Sequence, residues 1–151
     1  MDYVDKYPND YTRFHAGDMI LILDTYATYL VMTKAQSRIA GYYYLGNKPN
    51  AKPHPELNGA ILIKCKTLKH VVASSAEAET WGVVHNDQTT IPVQVIPEAM
   101  HHPQPTTPIN TDNATYTGFF NNKTNRKNPE YWDMRYYWLR DRDNQPQLKV
   151  R

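Results

Sequence analysis

Three acidic residues stand where separate secondary-structure elements are expected to begin or end. Asp24 lies in a β-prone stretch, Glu79 lies in the first turns of a helix, and Asp112 ends a short apolar stretch. Carboxylates that converge from separate elements are the ligands that paired Mg²⁺ or Mn²⁺ ions need, and two such ions stabilise both oxygens of a phosphoryl displacement. On spacing alone, solvated surface charge explains three acids among 15 better than a metal site does.

The first half of the chain has the pattern of three β-strands. The predicted strands cover residues 19–31, 37–45 and 60–66, which are rich in β-branched and aromatic residues. In the third strand apolar and other residues alternate, and Cys65 is expected to be buried beside Ile61 and Ile63. Short connections between successive strands predict an antiparallel meander.

The pattern changes to helix after residue 73. Ser74 and Glu77 form a capping box, so we expect a helix that begins there and runs to about Thr90. Pro92 is expected to stop it or to start the next helix, and Pro97 argues against a second helix over residues 91–100.

The last third of the chain continues the mixed pattern. We predict a short crossover strand over residues 109–112, a helix over 128–143 and the beginning of a strand over 147–151. The whole order predicts an α+β fold, in which a three-strand antiparallel meander is extended by crossover strands with flanking helices.

Length and composition limit the class of protein. The chain has 151 residues, of which 40% are hydrophobic and 21% charged, which is typical of one globular domain. It has one cysteine, no apolar run long enough to span a membrane, and a polar amino terminus unlike a secretory signal. We therefore expect an intracellular protein, cytoplasmic or nuclear, that is not secreted and has no membrane partner.

Charge is unevenly distributed along the chain. Residues 1–112 hold nine basic and eleven acidic residues, whereas residues 113–151 hold eight and four. Within the basic part, Lys123, Arg126 and Lys127 are candidates for contact with a nucleic-acid backbone. A solvated polar loop explains the same three residues equally well.

Six sequence segments occur together in a specific order. They are Ser37-Arg-Ile-Ala-Gly-Tyr, Asn58-Gly-Ala-Ile, Ser74-Ser-Ala-Glu-Ala-Glu, His102-Pro-Gln-Pro, Thr111-Asp-Asn and Trp132-Asp-Met-Arg-Tyr-Tyr-Trp-Leu-Arg-Asp. With these segments, residues 29–142 resemble the ribonuclease H domain of copia-type retrotransposon polyproteins. The resemblance implies a ribonuclease-H-like fold, two-Mg²⁺ (or Mn²⁺) cleavage of the RNA strand in RNA–DNA hybrids, and the rest of a retroelement polyprotein as a partner.

The resemblance also implies domain limits. Residues 1–18 resemble the tail that links reverse transcriptase to this domain, and residues 19–151 correspond to the domain itself. In the family a further helix follows the strand that begins near Leu148, and it carries a fourth acid. The expectation is therefore a domain that is truncated at its C-terminus and lacks its last helix.

The family's metal-binding acids match this sequence only in part. Asp112 and Glu79 match two of them, but the position of the first catalytic aspartate is occupied by Tyr26. Asp24 stands two residues earlier, which displaces it by about 6.5 Å along the strand. The resemblance therefore implies an ancestral nuclease whose activity is impaired here. The alternatives are a nucleic-acid-binding remnant that does not cut and a retrotransposon fragment without a function.

Overall fold

The structure is a computed structural model, and it describes residues 5–48, 57–69, 71–112, 141 and 148–150. Its main elements are β1 (Ile20–Met32), a 3-10 turn (Thr33–Ala35), β2 (Gln36–Gly46), β3 (Ala60–Thr67), the helix α1 (Ser75–Ala99), β4 (Thr107–Thr111) and β5 (Leu148–Val150). In the described ranges, no helix combines the length and the apolar character needed to cross a bilayer.

The strands form one mixed sheet in the order β3-β2-β1-β4-β5. β1, β2 and β3 pair antiparallel as a meander, as the sequence predicts, whereas β4 pairs parallel to β1 and β5 pairs parallel to β4. Parallel neighbours need a crossover connection, and α1 lies in the one that joins the meander to β4. The α+β prediction is therefore confirmed, including the crossover strands.

The helix α1 packs on one face of the sheet and forms the core with it. Alternate residues of β1 face the helix, because side chains along a strand point to opposite faces. One cluster joins these residues to the middle of α1, and a second cluster joins them to its first turns. The first cluster contains Leu21, Leu23, Tyr43, Val83, Val84 and Ile109. The second contains Ala27, Ile39, Leu68, Val72 and Ala78.

The start of α1 follows the prediction, but its end does not. The backbone N–H of Glu77 donates to Ser74 Oγ at 3.2 Å, and the Glu77 carboxylate accepts from the N–H of Ala73 at 2.7 Å, so Glu77 caps the helix. The predicted end near Thr90 is wrong, because one helix continues through Pro92 and Pro97 to Ala99. Tertiary packing of this end, where Pro97 is buried, offsets the hydrogen bonds that the prolines cannot donate.

Two strand predictions also need correction. β4 begins two residues before the predicted 109 and ends at Thr111, so Asp112 follows the strand. In β3 the predicted alternation is present, but its faces are reversed: Ile61, Ile63 and Cys65 are exposed, and the residues between them face the helix side. The helix α1 covers one face of the sheet, and the side chains of Ile61, Ile63 and Cys65 lie on the other face.

A segment before β1 is tied to the sheet through Asn58. The amide of Asn58 bonds both backbone groups of His15, at 2.8 and 2.9 Å, and also reaches the carbonyl of Leu45 at 2.7 Å. The N–H of Gly59 donates to the carbonyl of Arg13. Part of the predicted 1–18 tail therefore contacts the domain, while the predicted boundary at residue 18 stays a prediction. The predicted helix over 128–143 lies outside the described residues, apart from Asp141, which is helical.

Candidate functional site

The end of β4 brings Asp112 to the side of β1. The parallel register pairs Asp24 with Asn110 and Thr25 with Thr111, and the next residues along the two chains are Tyr26 and Asp112. Neighbouring strands lie about 4.8 Å apart, and the pairing of β1 with β4 ends one residue before Tyr26 and Asp112. Tyr26 is 53% exposed, and Asp112 is also exposed.

The first turns of α1 approach the same level of β1. Ala78 packs in the cluster that contains Ala27, and a Cβ on Gly82 would lie 3.7 Å from the carbonyl oxygen of Tyr26. Glu79 lies between these two helix residues and has one buried carboxylate oxygen. We call the group of Tyr26, Glu79 and Asp112 the sheet-end site, in which Glu79 lies on the face of the sheet that α1 covers and the Tyr26 side chain lies on the opposite face.

Asp24 lies two residues before Tyr26 on β1, and its side chain has a different environment. Asn110 Nδ2 donates a hydrogen bond to Asp24 Oδ1 at 2.7 Å. Burial raises the pKa of Asp24, and the hydrogen bond from Asn110 opposes that rise. The carboxylate of Asp24 in turn adds to the effect of burial in raising the pKa of Tyr44. Asp24 is therefore engaged by its strand neighbours, two residues before the level at which Asp112 stands.

Comparison with solved structures finds ribonuclease H domains. LC11-RNase H1, isolated from compost by a metagenomic approach, superposes with a TM-score of 0.59 at 9% identity, over 88% of this chain and 83% of that chain. The N-terminal RNase H domain of rv2228c from Mycobacterium tuberculosis, solved as a fusion with maltose-binding protein, gives 0.50 at 8% identity, over 87% and 78%. The chain has a ribonuclease-H-like fold.

Sequence comparisons do not extend this result. No protein-family model matches the chain, and a search of curated proteins finds no match. Structural similarity at such low identity shows the fold, so the chemistry of this ribonuclease-H-like domain has to be argued from its own residues.

The described residues do not fit a two-metal centre. Among them, no group of three or more His, Cys, Asp or Glu side chains is placed to hold a metal ion. The sheet-end site has two carboxylic acids, Glu79 and Asp112, and the hydroxyl group of Tyr26. The structure thus does not unite Asp24, Glu79 and Asp112 as a three-ligand site within the described ranges, and a metal-binding or catalytic role for them stays a prediction.

A buried polar centre lies beneath α1, beside the sheet-end site. Asn86 is 2% exposed, and its Nδ2 donates to Thr25 Oγ1 at 2.9 Å and to the carbonyl of Ala40 at 2.8 Å. The hydroxyl of Tyr43 donates to the Asn86 carbonyl at 2.8 Å. Gly41 leaves the room for this arrangement, because a Cβ there would lie 2.7 Å from Asn86 Oδ1. These groups satisfy one another and fix the helix on the sheet.

Two basic residues that were not predicted as functional lie between β3 and α1. The predicted nucleic-acid contacts Lys123, Arg126 and Lys127 lie outside the described residues. In the described part, Lys64 and Lys66 of β3 contact α1 at Thr89 and His85. The alternation of lysines in β3 was the available signal, but it does not reveal which face meets the helix.

Proposed function

We propose that this chain is a retroelement-derived ribonuclease-H-like domain that binds RNA–DNA hybrids and cleaves their RNA strand weakly or not at all. The observation that carries the proposal is the register between β1 and β4, in which Thr25 pairs with Thr111, one residue before Tyr26 and Asp112. In the family that the sequence resembles, a metal-binding aspartate occupies the position of Tyr26.

The loss of cleavage follows from the charge of the ligands. Mg²⁺ gives up its water reluctantly and is held by anionic oxygen ligands. A tyrosine hydroxyl offers a neutral oxygen where an aspartate offers a full negative charge. Asp24 does not replace that charge, because it lies about 6.6 Å back along the strand and accepts a hydrogen bond from Asn110.

The retroelement origin is supported by the six sequence segments and their order. The ribonuclease-H-like fold adds to this support, because Asp112 of Thr-Asp-Asn follows β4, the parallel neighbour of β1, and Glu79 of Ser-Ser-Ala-Glu-Ala-Glu lies in the first turns of α1. An RNA–DNA hybrid is the partner that this proposal implies, together with the rest of a retroelement polyprotein and an intracellular location.

The test is to restore the missing carboxylate. Tyr26→Asp should produce hybrid cleavage that depends on Mg²⁺ or Mn²⁺, because it restores a carboxylate at the position where the resembled family has its first metal-binding aspartate. Because Tyr26 is exposed, the free energy of unfolding should change by less than about 0.5 kcal/mol. Cleavage of a labelled RNA strand and a urea melt measure the two effects.

Tyr7→Asp is the matched control, since Tyr7 is 52% exposed and lies outside the sheet. It changes the same residue type and charge and should leave cleavage unchanged. Mg²⁺-dependent cleavage by the unmodified chain would overturn the impaired-activity proposal. Absence of salt-dependent binding to the hybrid would instead favour a fragment without a function.

A further inference from the structure

A cationic cluster lies on the other flank of α1, at the sheet edge formed by β3. Lys66 Nζ is 2.9 Å from His85 Nε2, and Lys64 Nζ donates to Thr89 Oγ1. His85 and Thr89 are one helical turn apart, and Thr89 Oγ1 donates to the His85 carbonyl at 3.4 Å. The four side chains therefore form one row between strand and helix, which we call the edge cluster.

The edge cluster brings basic side chains close together. Burial, Lys66 and Lys64 lower the pKa of His85, while a hydrogen bond with Gln88 opposes the change. Burial and Lys66 lower the pKa of Lys64. No carboxylate in the described part of the chain contributes to either shift. Like charges thus face one another here, and the contact between Lys66 and His85 requires a neutral ring whose Nε2 accepts.

We propose that Lys64, Lys66 and His85 form a binding site for a phosphate group. A phosphate anion would neutralise the two ammonium groups that repel each other. His85 could then take up a proton and donate to a phosphate oxygen, and the Thr89 hydroxyl lies within the same row. This arrangement matches a tetrahedral anion with several acceptor oxygens better than a monatomic anion such as chloride.

The edge cluster is separate from the sheet-end site. Gly41 pairs with Lys64 on one side and with Thr25 on the other, so Lys64 lies two strands from β1. Two strand spacings are about 10 Å. Lys64 also lies on the face that α1 covers, whereas Tyr26 lies on the opposite face by alternation from Thr25. Phosphate binding here is therefore independent of hybrid cleavage at Tyr26.

The test is a titration of the whole chain with inorganic phosphate, at neutral pH and constant ionic strength. Side-chain NMR of His85 should show saturable shifts toward the protonated ring. Lys64→Gln/Lys66→Gln should weaken phosphate binding by about tenfold or more, because it removes both ammonium groups. Lys64→Arg/Lys66→Arg keeps the charge and should retain binding.

Lys34→Gln/Lys48→Gln is the matched control, since it removes the same charge from two exposed lysines elsewhere. It should leave phosphate binding unchanged, and circular dichroism checks that each variant is folded. The proposal is overturned if His85 does not respond saturably to phosphate, or if both glutamine variants weaken binding equally.

Competition identifies the source of the phosphate. Displacement of inorganic phosphate from His85 by an RNA–DNA hybrid would assign the site to a nucleic-acid backbone. Saturable phosphate binding that the hybrid does not displace would assign it to free phosphate or a small phosphate ester. Both outcomes support the site, and neither depends on whether the sheet-end site cleaves the hybrid.

Discussion

Two neighbouring regions at the same level of β1 use polar residues in opposite ways. In the buried polar centre, Asn86, Thr25 and the Ala40 carbonyl bond one another and are shielded from water. At the sheet-end site, Tyr26 and Asp112 are exposed. The difference follows from the alternation of side chains along β1. Thr25 faces the helix, whereas the next residue, Tyr26, faces the opposite, open side of the sheet.

The largest expected effect is on the buried polar centre. Asn86→Ala should lower the free energy of unfolding by about 3 kcal/mol, because it leaves a cavity and takes the donor from the Ala40 carbonyl. Urea denaturation measures the change. Gln88→Ala, at an exposed position of the same helix, is the control and should change stability little. Equal loss in both variants would contradict the role given to Asn86.

A smaller effect is expected at the start of α1. Ser74→Ala removes the side-chain oxygen that accepts from the Glu77 N–H and should cost about 1 kcal/mol of stability. The melting temperature of Ser74→Ala is compared with that of Ser75→Ala, at the exposed neighbouring position. The difference between the two variants gives the contribution of the capping hydrogen bond. If the two alanine variants melt at the same temperature, the capping bond does not contribute as argued.

The smallest effect is a change in the pH dependence of stability. Because burial raises the pKa of folded Asp24 above its ordinary value of 3.8, the folded state holds this proton more tightly than the unfolded chain. The contribution to stability is full below 3.8 and is lost as pH rises through the folded pKa. Asp24→Asn keeps the oxygen that Asn110 bonds and should lose less stability between acidic and neutral pH.

Denaturation at several pH values measures the slope of the free energy of unfolding against pH for each variant. Asp5→Asn, at an exposed position near the amino terminus, is the control for removing one carboxylate. A slope unchanged by Asp24→Asn would show that burial of Asp24 has no influence on stability. It would also contradict the comparison made above, in which Asp24 is partly buried and hydrogen-bonded to Asn110 whereas Tyr26 is exposed.

Local patterns in the sequence were sufficient to predict much of the architecture. β-branched and aromatic residues predicted the three strands of the meander, and short connections predicted their antiparallel pairing, both of which are confirmed. The capping box of Ser74 and Glu77 predicted the start of α1 correctly. These signals act over a few residues, which is why they could be recognised without knowing the contacts between elements.

Other features depended on contacts that a local pattern does not contain. Pro92 and Pro97 weaken a helix intrinsically, yet α1 passes through both, and its last turns contact the rest of the domain through Val93 and the buried Pro97. Cys65 alternates correctly, but only the position of α1 decides which face of β3 is covered. The edge cluster was missed for the same reason, since Lys64 and Lys66 meet His85 and Thr89 across two elements.

The sequence by itself determined the three strands of the meander, the start of α1, which residues alternate and which acids are present, because these follow from neighbours along the chain. It also determined that Tyr26, rather than an acid, fills the position that the resemblance assigns to the first catalytic aspartate. Only the tertiary structure decided that Asp24 pairs with Asn110 and that Thr25 pairs with Thr111, one residue before Tyr26 and Asp112. Strand register sets those distances, and register depends on packing between residues far apart in the sequence.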